Sequence, residues 1–430
     1  MRRAVIWRAL YEVALWLAFP FVLARLWWRG RREPGYRSSV AERFGLYPAH
    51  QATHTDDSLR PLIWLHAVSL GETRAAVPLF ERLRQSHPEC DFLVTHMTAT
   101  GRQAAQQLFG ASATLAWLPY DYAFAVRSFL HRFKPRLGIL IETEVWFNLV
   151  RGCRLAGVPL LLANARLSEK SLRGYERVAP LAREAFRGLS AVAAQTGADA
   201  QRLERLGAHS VHISGNLKFD VLASPALLAL SRQFRLGYGG RKVFLAASTR
   251  AGEEELILDA LAAHPLPGAL IVIVPRHPER FAEVERLFAS RHLSFARRSK
   301  SIEVPVSCQF VLGDSLGEMQ AYYGAADVAF VGGSLLAYGG QNLIEACAAG
   351  IPVLFGPSTY NFTEAAEAAL AEGAARRVAD AKALLDEVDA LLLDDRLRSA
   401  MGEAGRSFCE RHRGATERIA ALAEEFLARR

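Results

Sequence analysis

From residue 62 onward, short apolar runs alternate with longer stretches in which apolar positions recur every three or four residues. The runs predict strands at 62–67, 91–95, 113–118, 137–141, 160–164 and 191–195. The periodic stretches predict helices at 72–85, 101–108, 121–133 and 179–187. A passage at 215–240, with a Ser-Pro and the run GYGG, breaks the pattern and reads as a junction. Alternation then resumes with strands at 243–247, 270–274, 310–312, 328–331 and 352–355, and a helical tail from about 381 to 430 closes the chain. Strands alternating with helices predict parallel sheets covered on both faces. At 430 residues the chain exceeds what one core serves, so two α/β domains are expected.

Upstream the pattern is different. Residues 4–28 are almost continuously apolar and exceed the roughly 20 residues that span a bilayer. Arg8, Glu12 and Pro20 interrupt them, and no small-residue cleavage site follows, so an anchor is expected rather than a signal peptide. Trp16, Trp27 and Trp28 suit the membrane interface. Arg25, Arg29, Arg31, Arg32 and Arg37 cluster at the far end, which keeps the remainder on the cytoplasmic side. The segment either spans the bilayer or lies on it. Most of the formal charge of +8 is local to this part, since residues 1–43 hold nine Arg and three Glu. Without aromatic-flanked basic repeats, that charge points to a phospholipid surface or an anionic substrate and away from nucleic acid. The five cysteines are scattered without CxxC spacing, which excludes a disulfide framework and a zinc knuckle and fits a reducing compartment.

In open α/β sheets, ligands bind beyond the carboxyl ends of the strands. Residues following the predicted strands are therefore the candidates for chemistry. Glu72 follows the first, placed either as a helix-start carboxylate or as a general base. Glu142 and Glu144 follow the strand at 137–141, and Arg166 and Ser168 follow the next. In the second half, Arg276 and His277 follow the strand at 270–274, an arrangement suited to clamping a phosphate or carboxylate. The stretch 327–362 combines a buried strand, a turn with Gly332, Gly333 and Ser334, and a second glycine pair at Gly339 and Gly340. A helix is expected to start near Gln341 or Asn342, with Glu345 about one turn in. Glycines allow close backbone approach, and a helix N-terminus offers N–H groups to an anion. The acidic run Asp386, Glu387 and Asp389 reads as a solvated helix face.

Taken in order, WLHAVSLGE, THMTATG, ETEVWFNL, NARLSEKSLRGY, GNLKFD, AASTRAGEEE, PRHPERF, GDSLGEM and GGSLLAYGGQNLIEA…GIPVLFGP…NF span essentially the whole chain. This set resembles the 3-deoxy-D-manno-octulosonic acid (Kdo) transferases of lipopolysaccharide assembly. The resemblance implies a GT-B glycosyltransferase, with two Rossmann-like domains facing a cleft. Its parts would be an anchor helix at 1–32, an acceptor-binding domain at 45–220, a donor domain at 240–405 and a helix at 406–430 returning to the first domain. It implies CMP-Kdo as donor, the lipid A precursor at the cytoplasmic leaflet of the inner membrane as acceptor, inversion at the anomeric centre, no cofactor and no active-site metal. Residue by residue, Glu72 matches the family's proposed base. Arg276, His277, Gly333, Ser334, Asn342 and Glu345 match its donor site, while Glu142, Glu144, Arg166 and Ser168 are expected on the acceptor side. One departure stands out: Gln341 occupies the position of the family's usual His, and an amide cannot carry a proton at neutral pH. The competing readings are a GT-B transferase for another nucleotide sugar and a membrane-tethered nucleotide-binding protein without turnover.

Overall fold

The computed structural model describes residues 2–48, 60–221 and 223–428. The chain forms two compact units, Met1–Val221 with Arg413–Arg430, and Leu222–His412. Unit 1 holds a seven-stranded parallel sheet of β1 (Leu62–His66), β2 (Asp91–His96), β3 (Thr114–Trp117), β4 (Leu137–Ile141), β5 (Leu160–Ala165), β6 (Ala191–Ala194) and β7 (Val211–Ile213). Its order is β3-β2-β1-β4-β5-β6-β7. Unit 2 repeats the plan with β8 (Val243–Thr249), β9 (Leu270–Pro275), β10 (Phe295–Arg297), β11 (Phe310–Leu312), β12 (Val328–Val331), β13 (Val353–Phe355) and β14 (Ala375–Arg377), in the order β10-β11-β9-β8-β12-β13-β14. Each sheet reverses its strand order near its middle, beside β1 and β4 in unit 1 and beside β8 and β12 in unit 2. Those are the places where open sheets leave a crevice for ligand.

The apolar runs are continuous because both sheet faces are covered. Along β1, Leu62 and Trp64 enter one core with Leu140, Phe129 and Leu162, while Ile63 and Leu65 enter the other with Leu79, Ile139 and Leu161. The helix Ala415–Ala428 belongs to that second core through Ile419, Ala420 and Ala423. Its start is tied down by Asp220, whose carboxylate accepts from Gly414 N at 2.8 Å and Thr416 N at 2.6 Å.

Two boundary expectations need correction. The chain leaves unit 2 after His412 and not at 406. The reason is that the helix Asp395–His412 runs unbroken, with Gly402 and Gly405 against the end of the helix Ile344–Ala349. The tail is also three helices and not one, since the chain breaks around Asp394 and again at Arg413 and Gly414. Strands β7, β10 and β14 went unpredicted. All three are short edge strands with mostly partly buried or exposed side chains, so no apolar run marks them.

The N-terminal helix Arg2–Arg32 docks lengthwise on unit 1. Tyr11 OH donates to Asp121 Oδ2 at 2.8 Å, Tyr122 OH donates to Leu15 O at 2.9 Å, and Phe19 packs edge-on to Phe44 at 5.5 Å. Leu26 is buried further along. Burial pushes the Asp121 carboxyl up to about 7, although it also accepts from Asn148 N and Leu149 N. The opposite stripe of Ile6, Leu10, Val13, Leu17 and Phe21 stands exposed, with Leu17 at 70% and Phe21 at 75%. Among the described residues this is the one helix long and apolar enough to cross a membrane.

Gly402 supplies a test of the unit 2 packing. Glycine to alanine inside a helix normally stabilises by roughly 1 kcal/mol. A Cβ at Gly402 would instead collide with the Gly350 carbonyl oxygen. Gly402→Ala should therefore lower stability by roughly 1–3 kcal/mol, read as a fall in the urea midpoint.

Candidate active site

In unit 1 the turn after β1 delivers Glu72. Ser69 caps the helix Leu70–Ser86, and its hydroxyl donates to Glu72 Oε1 at 2.8 Å. Val68 N donates to Glu72 Oε2 at 2.7 Å. The turn is itself braced by Thr98, which donates to Val68 O at 2.9 Å. Both carboxylate oxygens are thus aimed by backbone-anchored donors. Burial, and next the charge of Glu142, push the Glu72 carboxyl up to about 7, against the opposing effect of the Ser69 and Val68 hydrogen bonds.

Strand β4, beside β1, delivers the two other acids. Glu142 sits at φ +68, a left-handed conformation that a non-glycine residue adopts at a cost and that concentrates at functional sites. Its Oε1 accepts from Lys218 Nζ at 3.0 Å. Glu144 accepts from Trp146 Nε1 at 2.6 Å, and burial raises its carboxyl pKa. Lys218 was missed as a site residue, although it lies in the GNLKFD motif. It reaches Glu142 because two buried amides hold its loop. Asn164, itself at φ +55, accepts from Leu217 N at 3.0 Å, and Gln195 accepts from Asn216 Nδ2 at 3.0 Å. Arg166 follows β5, next to β4, and is partly buried. Ser168 is exposed and caps the helix Glu169–Glu176, accepting from Ser171 N at 3.1 Å, so the contacts seen for it are those of a helix cap.

In unit 2, Arg250 follows β8, Arg276 and His277 follow β9, and Gly332 to Ser334 follow β12. Arg250 Nη1 donates to His277 Nε2 at 2.5 Å and lies over the Tyr338 ring at 4.7 Å. Burial, then Arg250, lower the His277 pKa. Arg276 Nε donates to Gln341 Oε1 at 3.1 Å. The helix begins at Ile344 and not at 341 or 342, with Asn342 Oδ1 accepting from Ile344 N at 3.1 Å. Asn342 Nδ2 donates to Glu345 Oε1 at 3.0 Å, which pairs two of the residues expected in the donor site.

The glycine turn differs from the expectation. Gly333 and Ser334 are expected in the donor site, but their N–H groups are taken by the fully buried Glu253 carboxylate: it accepts from Gly333 N at 2.6 Å, from Ser334 N and Leu335 N at 2.9 Å, and from Arg250 N at 2.9 Å. The Ser334 hydroxyl is also buried, donating to Val331 O and accepting from Gly356 N at 2.8 Å. Gly332 is glycine because the turn presses on β8, where a Cβ would come within 2.6 Å of Ser248 O and Thr249 Cα. The turn's N–H groups and the Ser334 hydroxyl are thus spent within the fold, while Arg250, Arg276, His277, Asn342 and Glu345 follow strands β8, β9 and β12 in the chain.

Two parallel-sheet α/β units, each with charged side chains at its switch point, define the GT-B class of fold. Solved structures with the same fold include Anabaena Alr3699/HepE in complex with UDP-glucose, at TM-score 0.56 and 14% identity over 85% of this chain and 99% of that one. UDP-GlcNAc 2-epimerase from Neisseria meningitidis bound to UDP-GlcNAc gives TM-score 0.57 and 16% identity over 86% and 100%. Residues 291–408 match the family described as glycosyl transferases group 1, and the protein is a glycosyltransferase. Residues 38–221 match the family described as 3-deoxy-D-manno-octulosonic-acid transferase (kdotransferase). The 3-deoxy-D-manno-octulosonic acid transferase of Bordetella pertussis is 44% identical over 98% of this chain and 99% of its own length. That of Haemophilus influenzae is 35% identical over 98% and 99%. The chain belongs to the 3-deoxy-D-manno-octulosonic acid transferase family.

Removing the buried acceptor tests the scaffold. Glu253→Ala leaves four backbone N–H groups without their acceptor and should cost roughly 3 kcal/mol or more, read from denaturant unfolding. Glu253→Gln should lose less, because its amide oxygen can still accept.

Proposed function

We propose that the protein moves Kdo from CMP-Kdo to the lipid A precursor by a single inverting displacement, with Glu72 as general base. The observation that carries this reading is the Glu72 carboxyl, held by Val68 and Ser69 at the switch point and tuned to about 7. A base is most useful when its pKa lies near the working pH. The acceptor hydroxyl gives its proton to Glu72 as its oxygen bonds to the anomeric carbon, and the bond from that carbon to the CMP phosphate breaks. Gly71 leaves the approach open: it is exposed, and a Cβ there would meet only Ser69 Oγ, at 4.0 Å.

The leaving phosphate needs cations, and Arg250 and Arg276 supply them as side chains in place of the glycine-turn N–H groups. Gln341 stands where the family has His, and here its carbonyl oxygen steadies Arg276. On this reading the position serves to orient an arginine, which an amide does as well as an imidazole. Asn342 and Glu345 then face the sugar. The N-terminal helix lies along the bilayer surface. Its docked contacts run from Tyr11 to Leu26, roughly 20 Å at 1.5 Å per residue, and a helix pinned along that length presents its exposed apolar stripe sideways to lipid.

The decisive assay supplies CMP-Kdo and lipid A precursor to the purified protein and reads the lipid by mass spectrometry. A gain of Kdo mass is expected. Failure to gain mass with CMP-Kdo, or transfer only from other nucleotide sugars, would overturn the reading. Glu72→Gln should lose roughly 10²–10⁴-fold in turnover while nucleotide binding is retained. For the wild type, kcat/KM should rise with pH and level off above about 7, because the base works only when deprotonated. Lys218→Met leaves the charge on Glu142 unopposed and should move that limb to higher pH. Stability carries the opposite sign. The folded state holds a proton on Glu72 that the unfolded state releases between about 4.5 and 7. That contribution to stability is therefore lost as pH rises through this window, and Glu72→Gln should be the more stable protein at pH 8.

A further inference from the structure

A groove on unit 1 lies apart from every residue assigned above. It runs between the helices Ala123–Phe133 and Phe147–Leu155 and has a volume of about 850 Å³. At one end it is closed by residues 134–136 and 157–159, which lead into the amino ends of β4 and β5. Glu72 lies beyond the carboxyl end of β1, so this end of the groove is at the opposite edge of the sheet. Its lining includes the apolar side chains of Leu130, Leu155 and Phe426, and Leu155 is 70% exposed. Arg127, Lys134 and Arg151 stand around it, and among the described residues no Asp or Glu lines it. These three cations form no ion pair with any described residue.

A concave apolar surface rimmed by charge of one sign concentrates its field on whatever enters. A free phosphate would leave the apolar lining bare, and a neutral apolar chain would leave the cations uncompensated. The matching occupant has an anionic head and apolar chains. The surroundings favour a lipid. Arg151 also lines a small hollow with Arg8 of the N-terminal helix, and the exposed Phe124 at the head of the groove's first helix stacks on Trp16 at 5.9 Å. The groove therefore opens beside the helix whose outer stripe is exposed and apolar.

We propose that this groove holds one anionic phospholipid of the bilayer, with its phosphate among Arg127, Arg151 and Lys134 and its chains over Leu130, Leu155 and Phe426. The proposal rests on the reading of the N-terminal helix as lying on the bilayer. The lipid would fix the enzyme's tilt on the membrane without entering the chemistry.

Native mass spectrometry of the full-length protein in neutral detergent tests it, with phosphatidylglycerol and phosphatidylcholine of identical chains titrated separately. One phosphatidylglycerol should be retained in preference to phosphatidylcholine. Arg127→Gln with Arg151→Gln should weaken that retention roughly fivefold per cation, and Arg127→Lys with Arg151→Lys should preserve it. Leu155→Glu should weaken retention with all three cations in place. Transfer to detergent-dispersed acceptor should be unchanged in each variant. Equal retention of the two lipids, or full retention by the double Gln variant, overturns the proposal. So does a raised acceptor KM in that variant, which would make the groove part of the acceptor site, or displacement of the lipid by a co-purifying acidic protein. Vesicle flotation separates the two readings: protein that binds phosphatidylglycerol in detergent but does not float with vesicles sinks the bilayer-lying helix and leaves the groove standing.

Discussion

Both sites depend on a carboxylate held against backbone N–H groups at the point where a parallel sheet reverses its strand order. The donors stand at the strand ends, so the carboxylate is aimed by backbone N–H groups and, for Glu72, by one short capping hydroxyl. The two cases diverge through their neighbours. Glu253 has four N–H donors and is fully enclosed, so it works as a brace that joins the turn after β8 to the turn after β12. Glu72 has one N–H and one hydroxyl, with Glu142 and Glu144 close by, and its proton is held to about 7. The same group is enclosed as a brace in one unit and stands with a raised pKa beside two further acids in the other.

Strain follows the same map. Glu142, Asn164 and Ser248 hold left-handed backbone at or beside the ends of β4, β5 and β8. β5 and β8 also shift register there. Such conformations persist only where surrounding bonds over-determine them. The buried amides of Asn164 and Gln195 do this for the loop that carries Lys218, which fixes the charge next to the acid pair. Around unit 1, the N-terminal helix keeps an exposed apolar stripe, and the basic groove is linked to that helix through the Phe124–Trp16 contact. The helix's polar docking contacts to Asp121 and Tyr122 hold that stripe in a fixed orientation.

Much of this was written in the chain itself. Buried parallel strands need unbroken apolar runs, so the central strands of both sheets were legible, and the residues after them had to stand at the ligand edge. That placed Glu72, Glu142, Glu144, Arg276, His277 and Glu345, and the order of short motifs pointed to the family. The edge strands β7, β10 and β14 could not be read, because an edge needs no apolar run. What only the tertiary structure decided was which polar groups the fold consumes. Glu253, eighty residues from Gly333 in the chain, takes the turn's N–H groups, and the Ser334 hydroxyl is spent on Val331 and Gly356. Lys218 reaches Glu142 across seventy-six positions. Local patterns carry burial and periodicity, but hydrogen bonds between distant segments leave no local trace, and those bonds settle whether a polar residue serves the fold or the ligand.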